Sequence, residues 1–174
     1  MAKRTSLKDF QEGLAARLKA AAGDAAPSAR LSFEAGGTHW LVRLEGSGEV
    51  LPVPPVARVP LTRDWFLGVT NVRGVLYGVS DFAMLLGGAP TERSAENRIL
   101  LVGQPHGVNA AILVSRLAGL RNVQSLEAAD AAGAGADWSE AAWRDADGRT
   151  WRELAAARLV ADRTFLDVAA PVAH

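Results

Sequence analysis

A mainly β fold of two related lobes, with short helices and an N-terminal helix, is predicted by three observations. Short runs such as Leu31, Phe33 and Ala35 alternate apolar with polar residues at period two, as half-buried strands do. Glycine turns punctuate these runs at Gly36-Gly37, Gly74 and Gly148. A strand, glycine turn, strand and helix pattern also recurs at constant offset, with Gly74 on Gly148, Tyr77 on Trp151, Val69 on Trp143 and Leu85 on Leu159. The expected organisation is an N-terminal amphipathic helix and linker over residues 1–26, a β domain over 27–168 and a tail over 169–174. Lobes of roughly 27–88 and 97–168 divide the domain at the polar stretch from Gly87 to Asn97.

The N-terminal segment places Leu7, Phe10, Leu14 and Leu18 at helical spacing after a weak capping box at Ser6 and Asp9. From Leu31 the period is two, and Gly36-Gly37 turns a hairpin that returns over Thr38 to Leu44. Gly46-Ser47-Gly48 resembles a phosphate loop only superficially, because no Gly-Lys-Ser/Thr and no helix follow it. Glu49 to Val59 is interrupted by Pro52, Pro54, Pro55 and Pro60, which confines it to an edge strand or extended wrap, since each proline removes a ladder donor.

Val69 to Val79 reads as two strands around Arg73-Gly74, followed by a short helix over Asp81 to Leu86 that Asp81 caps. Arg98–Val102 and Val108–Val114 form a third hairpin with a five-residue loop from Gly103 to Gly107. Ser115 to Leu120 continues or bends it, and Ala128 to Gly135 has no period and reads as a loop. Asp147-Gly148 turns a fourth hairpin between Trp143 and Trp151, an Ala-rich helix is expected over Glu153 to Val160, and Thr164 to Val168 closes the chain as a strand or helix extension.

Composition excludes several function classes. Nineteen basic residues balance nineteen acidic ones, without the cationic excess that phosphate neutralisation needs, so no nucleic-acid partner is expected. The absence of cysteine removes disulfides, thiol catalysis and cysteine metal sites. No apolar run approaches the ~18 residues of a membrane span and no signal-type stretch follows Lys3-Arg4, so a cytoplasmic address without membrane insertion is expected. There is no zinc-type histidine pair, no Walker loop and no dinucleotide fingerprint, hence no metal, cofactor or catalytic residue is assigned. The alternative is a small-molecule-binding or hydrolytic β-barrel enzyme using Ser80, Asp81 or His106, and it requires those side chains to converge in one pocket.

Arg73 is the charge that the strand pattern does not need. Its planar fork suits a carboxylate or carbonyl anchor within an apolar contact, which fits an interaction module. The plainer reading is that it solubilises the turn or pairs with an acidic neighbour, and the residues alone favour neither.

Gly68-Val69-Thr70-Asn71-Val72-Arg73-Gly74, followed by a strand, Asp81 and a Leu-rich helix, resembles the signature of CheW-like chemotaxis coupling proteins. The likeness runs from about Leu31 to Val168. Phe10 to Leu18, Trp143, Asp147-Gly148, Trp151 and Phe165 resemble the PilI-type branch associated with type IV pili. The resemblance implies two five-stranded β-barrel lobes packed together, and a non-catalytic adaptor coupling a methyl-accepting chemoreceptor to a CheA-type histidine kinase in control of twitching motility. The implied partners are the kinase regulatory domain and the receptor's cytoplasmic tip, in a cytoplasmic protein associated with a membrane-bound array. It also implies that Arg73, with Asn71, Val72 and Gly74, binds a partner. Tyr77-Gly78, Ser115 and Ala155 depart from the family pattern, the last two standing where aspartate is usual.

Overall fold

The computed structural model describes residues 28–45, 47–102, 104–130 and 138–171. The N-terminal helix expected over residues 6–22 lies outside them. Strands β1 (Ala29–Ala35) and β2 (Thr38–Arg43) form the first hairpin, and β3 (Ser47–Pro52) follows. Strands β4 (Phe66–Val72) and β5 (Val75–Asp81) lead into the short helix α1 (Phe82–Leu85). Strands β6 (Arg98–Val102), β7 (Ala110–Val114), β8 (Arg116–Asn122) and β9 (Glu127–Ala129) come next. The chain ends with β10 (Ser139–Arg144), β11 (Thr150–Leu154), α2 (Ala156–Ala161) and α3 (Arg163–Leu166).

The strands form a six-stranded sheet ordered β8-β1-β2-β11-β10-β9 and a five-stranded sheet ordered β3-β6-β7-β5-β4. This corrects the expectation of two five-stranded barrels: one sheet has a sixth strand and neither closes on itself. In each sheet an antiparallel hairpin, β1–β2 or β6–β7, joins a second one, β10–β11 or β4–β5, through a parallel pairing of β2 with β11 or of β7 with β5. An outer strand, β8 or β3, flanks the first hairpin. The two sequence halves therefore exchange hairpins, so the stretch from 87 to 97 separates sequence repeats and not sheets.

The first faces of the two sheets pack on each other. Phe33, Trp40, Val42 and Leu154 from one sheet meet Leu100, Val102, Ile112 and Val114 from the other, with Phe82, Leu159 and Phe165 of the helices filling the same cluster. Phe82 is the pivot, edge-on to Phe33 at 6.0 Å and to Trp40 at 5.1 Å between ring centroids. Such edge-to-face pairs add roughly 0.5–1.5 kcal/mol beyond the area they bury.

The second faces differ. In the five-stranded sheet Tyr77, Val79, Ile99, Leu101 and Leu113 form an apolar cluster. In the six-stranded sheet the corresponding strands bury a polar network instead. Glu153 holds the place that Val79 holds one repeat earlier, is 1% exposed, and accepts from Arg30 Nε at 2.5 Å and from Trp143 Nε1 at 2.9 Å. Its pairing with β2 across Leu41 explains why the helix expected from Glu153 begins only at Ala156, since ladder and ion-pair partners outweigh the good helix propensity of Glu153-Leu154-Ala155. Beside it Trp151 Nε1 donates to Asp145, and the Arg121 guanidinium lies 4.0 Å from the Trp151 ring centroid.

The proline-rich segment is an edge strand that becomes a wrap, tied to β4 by Ala57 N to Val69 O at 2.8 Å and by Thr70 Oγ1 to Pro55 O at 2.8 Å. Gly68 permits this approach: its φ is +132°, and a Cβ there would sit 2.1 Å from Ala57 O.

Two outcomes are expected. Glu153→Val leaves Arg30 without its buried carboxylate and should destabilise by about 3–5 kcal/mol in urea unfolding, whereas Arg30→Leu combined with Glu153→Val should recover most of that loss. The second concerns acid. Trp138 Nε1 donating to Asp162, Arg116 donating to Glu34, and Trp151 donating to Asp145 hold these carboxyls below the usual carboxylate range. With folded pKa values depressed, the unfolded chain takes up protons first. Stability is then full above about pH 5 and declines as pH falls through about 4 toward the folded values. Urea midpoints measured at intervals between about pH 6 and 3 should show that decline, and Trp138→Phe should make it shallower.

Candidate interaction surface

The β4–β5 hairpin closes through a two-residue turn, with Val72 opposite Val75. Arg73 has φ 52° and Gly74 has φ 88°, the paired positive angles of a type I′ turn. Positive φ was foreseeable for the glycine but not for the arginine, which occupies a position usually given to asparagine or aspartate. Asn71 supplies the local support, its Oδ1 accepting from Gly74 N at 2.8 Å. The strain at Arg73, on the order of 1 kcal/mol, is retained at the most exposed point of a rigid hairpin.

The Arg73 side chain is 74% exposed and forms a two-point ion pair with Glu49 of β3, at 2.7 Å and 2.6 Å. Strands β3 and β4 are opposite edges of their sheet, so this fork links the hairpin apex to the far edge. The pairing with an acidic neighbour, one of the two sequence readings, is therefore present. An exposed pair of this kind contributes only about 0–1 kcal/mol, so it orients the guanidinium more than it stabilises the fold.

The four residues singled out in the turn have different roles. Arg73 is presented outward, Asn71 and Gly74 shape the turn, and Val72 is half-buried against the second apolar cluster. Sequence reasoning did not single out Glu49 or the neighbouring apolar pair Val75 and Leu76, which are 41% and 61% exposed. Consecutive apolar residues after a charged turn were the available signal, because alternation along a strand leaves one of such a pair facing water.

The residues of the enzymatic alternative are not brought together. Asp81 is buried and engaged: Oδ1 accepts from Ala83 N, Met84 N and Thr91 Oγ1, and Oδ2 from Thr91 N at 2.8 Å. It caps α1 and fastens the 87–97 segment. Ser80 is also buried, while His106 is exposed on a 3₁₀ turn and lines a cleft of about 220 Å³ with Arg43, Glu140 and Arg158. Neither Ser80 nor Asp81 lines that cleft. Among the described residues no cluster of three or more His, Cys, Asp or Glu side chains could hold a metal ion, and no helix is long and apolar enough to cross a membrane.

Comparison with known proteins places this geometry in a family. Protein PilI of Pseudomonas aeruginosa is 29% identical over 92 residues, covering 53% of this chain and 51% of that protein. The chain thus matches about half the length of that relative. The crystal structure of the scaffolding protein TtCheW from Thermoanaerobacter tengcongensis superposes with a TM-score of 0.63 at 18% identity, over 74% of this chain and 89% of that one, and so shares its fold. The CheW-like domain description matches residues 30–164, from the buried Arg30 of β1 to α3, and the chain belongs to the CheW-like domain family.

Proposed function

We propose that this chain is a non-enzymatic adaptor that couples a methyl-accepting chemoreceptor to a CheA-type histidine kinase in a chemotaxis-like pathway controlling type IV pilus twitching motility. It works in the cytoplasm beside a membrane-bound receptor array. The observation that carries this reading is the Arg73 turn of a CheW-like domain: a strained, exposed arginine held by Glu49 beside the exposed Val75 and Leu76. A fixed cation flanked by apolar side chains is a protein-docking anchor, since a partner carboxylate can exchange with Glu49 while its apolar groups cover the rim.

The similarity to PilI favours the pilus branch over other receptor pathways. Mechanistically, the receptor's cytoplasmic tip engages the Arg73 hairpin and the kinase regulatory domain engages a different surface. Receptor state then biases the kinase by shifting the population of the joined assembly, not by any chemistry in the adaptor.

The test is binding of the folded full chain to the cognate kinase regulatory domain and, separately, to the receptor's cytoplasmic fragment. Reproducible absence of both interactions contradicts the adaptor reading. Arg73→Asp should weaken receptor binding at least about tenfold, as loss of an arginine anchor does. Its stability should stay within about 1 kcal/mol of the parent, because aspartate tolerates the left-handed region and the lost pair is exposed. Unfolding of that variant would instead make Arg73 a structural residue.

A further inference from the structure

Among the described residues two other than glycine have positive φ: Arg73 at 52° and Leu61 at 59°. Asparagine and aspartate adopt this region with little strain, but leucine gains nothing local from it. Leu61 is also 87% exposed, more than any other large apolar side chain among the described residues. A strained backbone that presents an apolar side chain to water is opposite to what folding alone selects.

The surroundings keep it there. Leu61 O accepts from Ala170 N at 2.9 Å, Thr62 pairs with Ala169, and Arg63 N donates to Val168 O at 2.9 Å. The Arg63 guanidinium holds both the carbonyl and the carboxylate of Asp167, at 2.8 Å and 2.9 Å. Underneath, Trp65 stacks on Phe165 with ring planes 10° apart. On the same C-terminal segment Leu166 is 50% exposed, and an open cleft of about 540 Å³ is lined by Arg63, Arg163, Thr164, Leu166 and Asp167. The Asp167 carboxylate is already held by Arg63, and Arg163 has no ion pair among the described residues. Among the described residues, the cleft therefore offers an arginine without an ion pair next to the exposed Leu166, while Leu61 lies outside its lining on the adjoining segment paired with residues 168–170.

We infer that the Leu61 turn and α3 form a second protein-docking surface, which takes a partner segment presenting an apolar side chain to Leu61 and Leu166 and a carboxylate to Arg163. This rests on the adaptor reading, which needs two surfaces that do not overlap. Leu61 precedes the start of β4 and Arg73 follows its end, and a seven-residue strand spans roughly 20 Å, so the two surfaces stand at opposite ends of one hairpin. The partner docked at Leu61 is accordingly the one whose binding survives Arg73→Asp.

The experiment titrates the full chain, Arg73→Asp, and Leu61→Gly combined with Arg163→Glu against the kinase regulatory domain and the receptor cytoplasmic fragment. Glycine suits positive φ, and glutamate at the first position of α3 suits the helix terminus, so the thermal midpoint of the double variant should be unchanged or raised. It should lose at least about tenfold in affinity for the partner that Arg73→Asp still binds, and keep the other. Arg163→Lys alone, which preserves the charge, should stay within about threefold of the parent. Unaltered binding of both partners by the double variant, loss of the same partner as Arg73→Asp, or loss of both with a lowered midpoint would each overturn the inference. Failure of the unsubstituted chain to bind either partner is a separate result, and it removes the adaptor reading along with the second surface.

Discussion

The apolar cluster between the two sheets is the constraint on which the rest of the molecule depends, and the exchange of hairpins determines its composition. Because β1–β2 pairs with β11 and β6–β7 pairs with β5, each sheet is completed by strands from the other half of the sequence. The cluster around Phe82, Trp40 and Phe33 forms only when both halves are in place. These contacts link residues far apart in sequence, so loop closure must precede much of the stabilisation they provide. The functional consequence is rigidity. Strand β5 is paired with β7 over Gly78–Asp81 and with β4 along its length, and the Arg73–Glu49 fork ties the projecting turn to β3.

The second faces show how two topologically matching sheets came to differ. Where the five-stranded sheet buries Val79, the six-stranded sheet buries Glu153 with Arg30, Trp143 donating to its second oxygen and Arg43 lying within ion-pair distance. A buried ion pair is weak support for stability but a strong penalty on mispairing, because a register slip would leave charge buried without a partner. We regard this as a device that distinguishes the two exchangeable hairpins from one another. The first apolar cluster, by contrast, holds no charge: aliphatic side chains of both sheets surround the Phe33, Trp40 and Phe82 rings.

Much of the local structure was legible in the sequence and the pairing was not. Gly36-Gly37, Gly74 and Gly148 mark turns because the chain needs positive φ there, and Asp81 marks a helix start because its carboxylate can satisfy free amides. Which strand lies beside which was hidden, since β11 carries Arg152 and Glu153 and read partly as helix, and the parallel partners β2 with β11 and β5 with β7 leave no turn signal between them. That is why two closed five-stranded lobes were expected and interleaved open sheets were found. The site was half legible: the Arg73 turn could be named, but its positive φ, its grip on Glu49 and the strained Leu61 follow from tertiary contacts with β3 and with residues 167–170. The N-terminal segment stands outside the described residues.

An adaptor of this kind is defined by holding two partners at once, which binary affinities do not establish. The most direct measurement is analytical ultracentrifugation of the full chain mixed with the kinase regulatory domain and the receptor cytoplasmic fragment together. A ternary species containing all three is expected, formed at concentrations where each pair alone associates. Competition, with either partner displacing the other and no ternary species at any ratio, would contradict it.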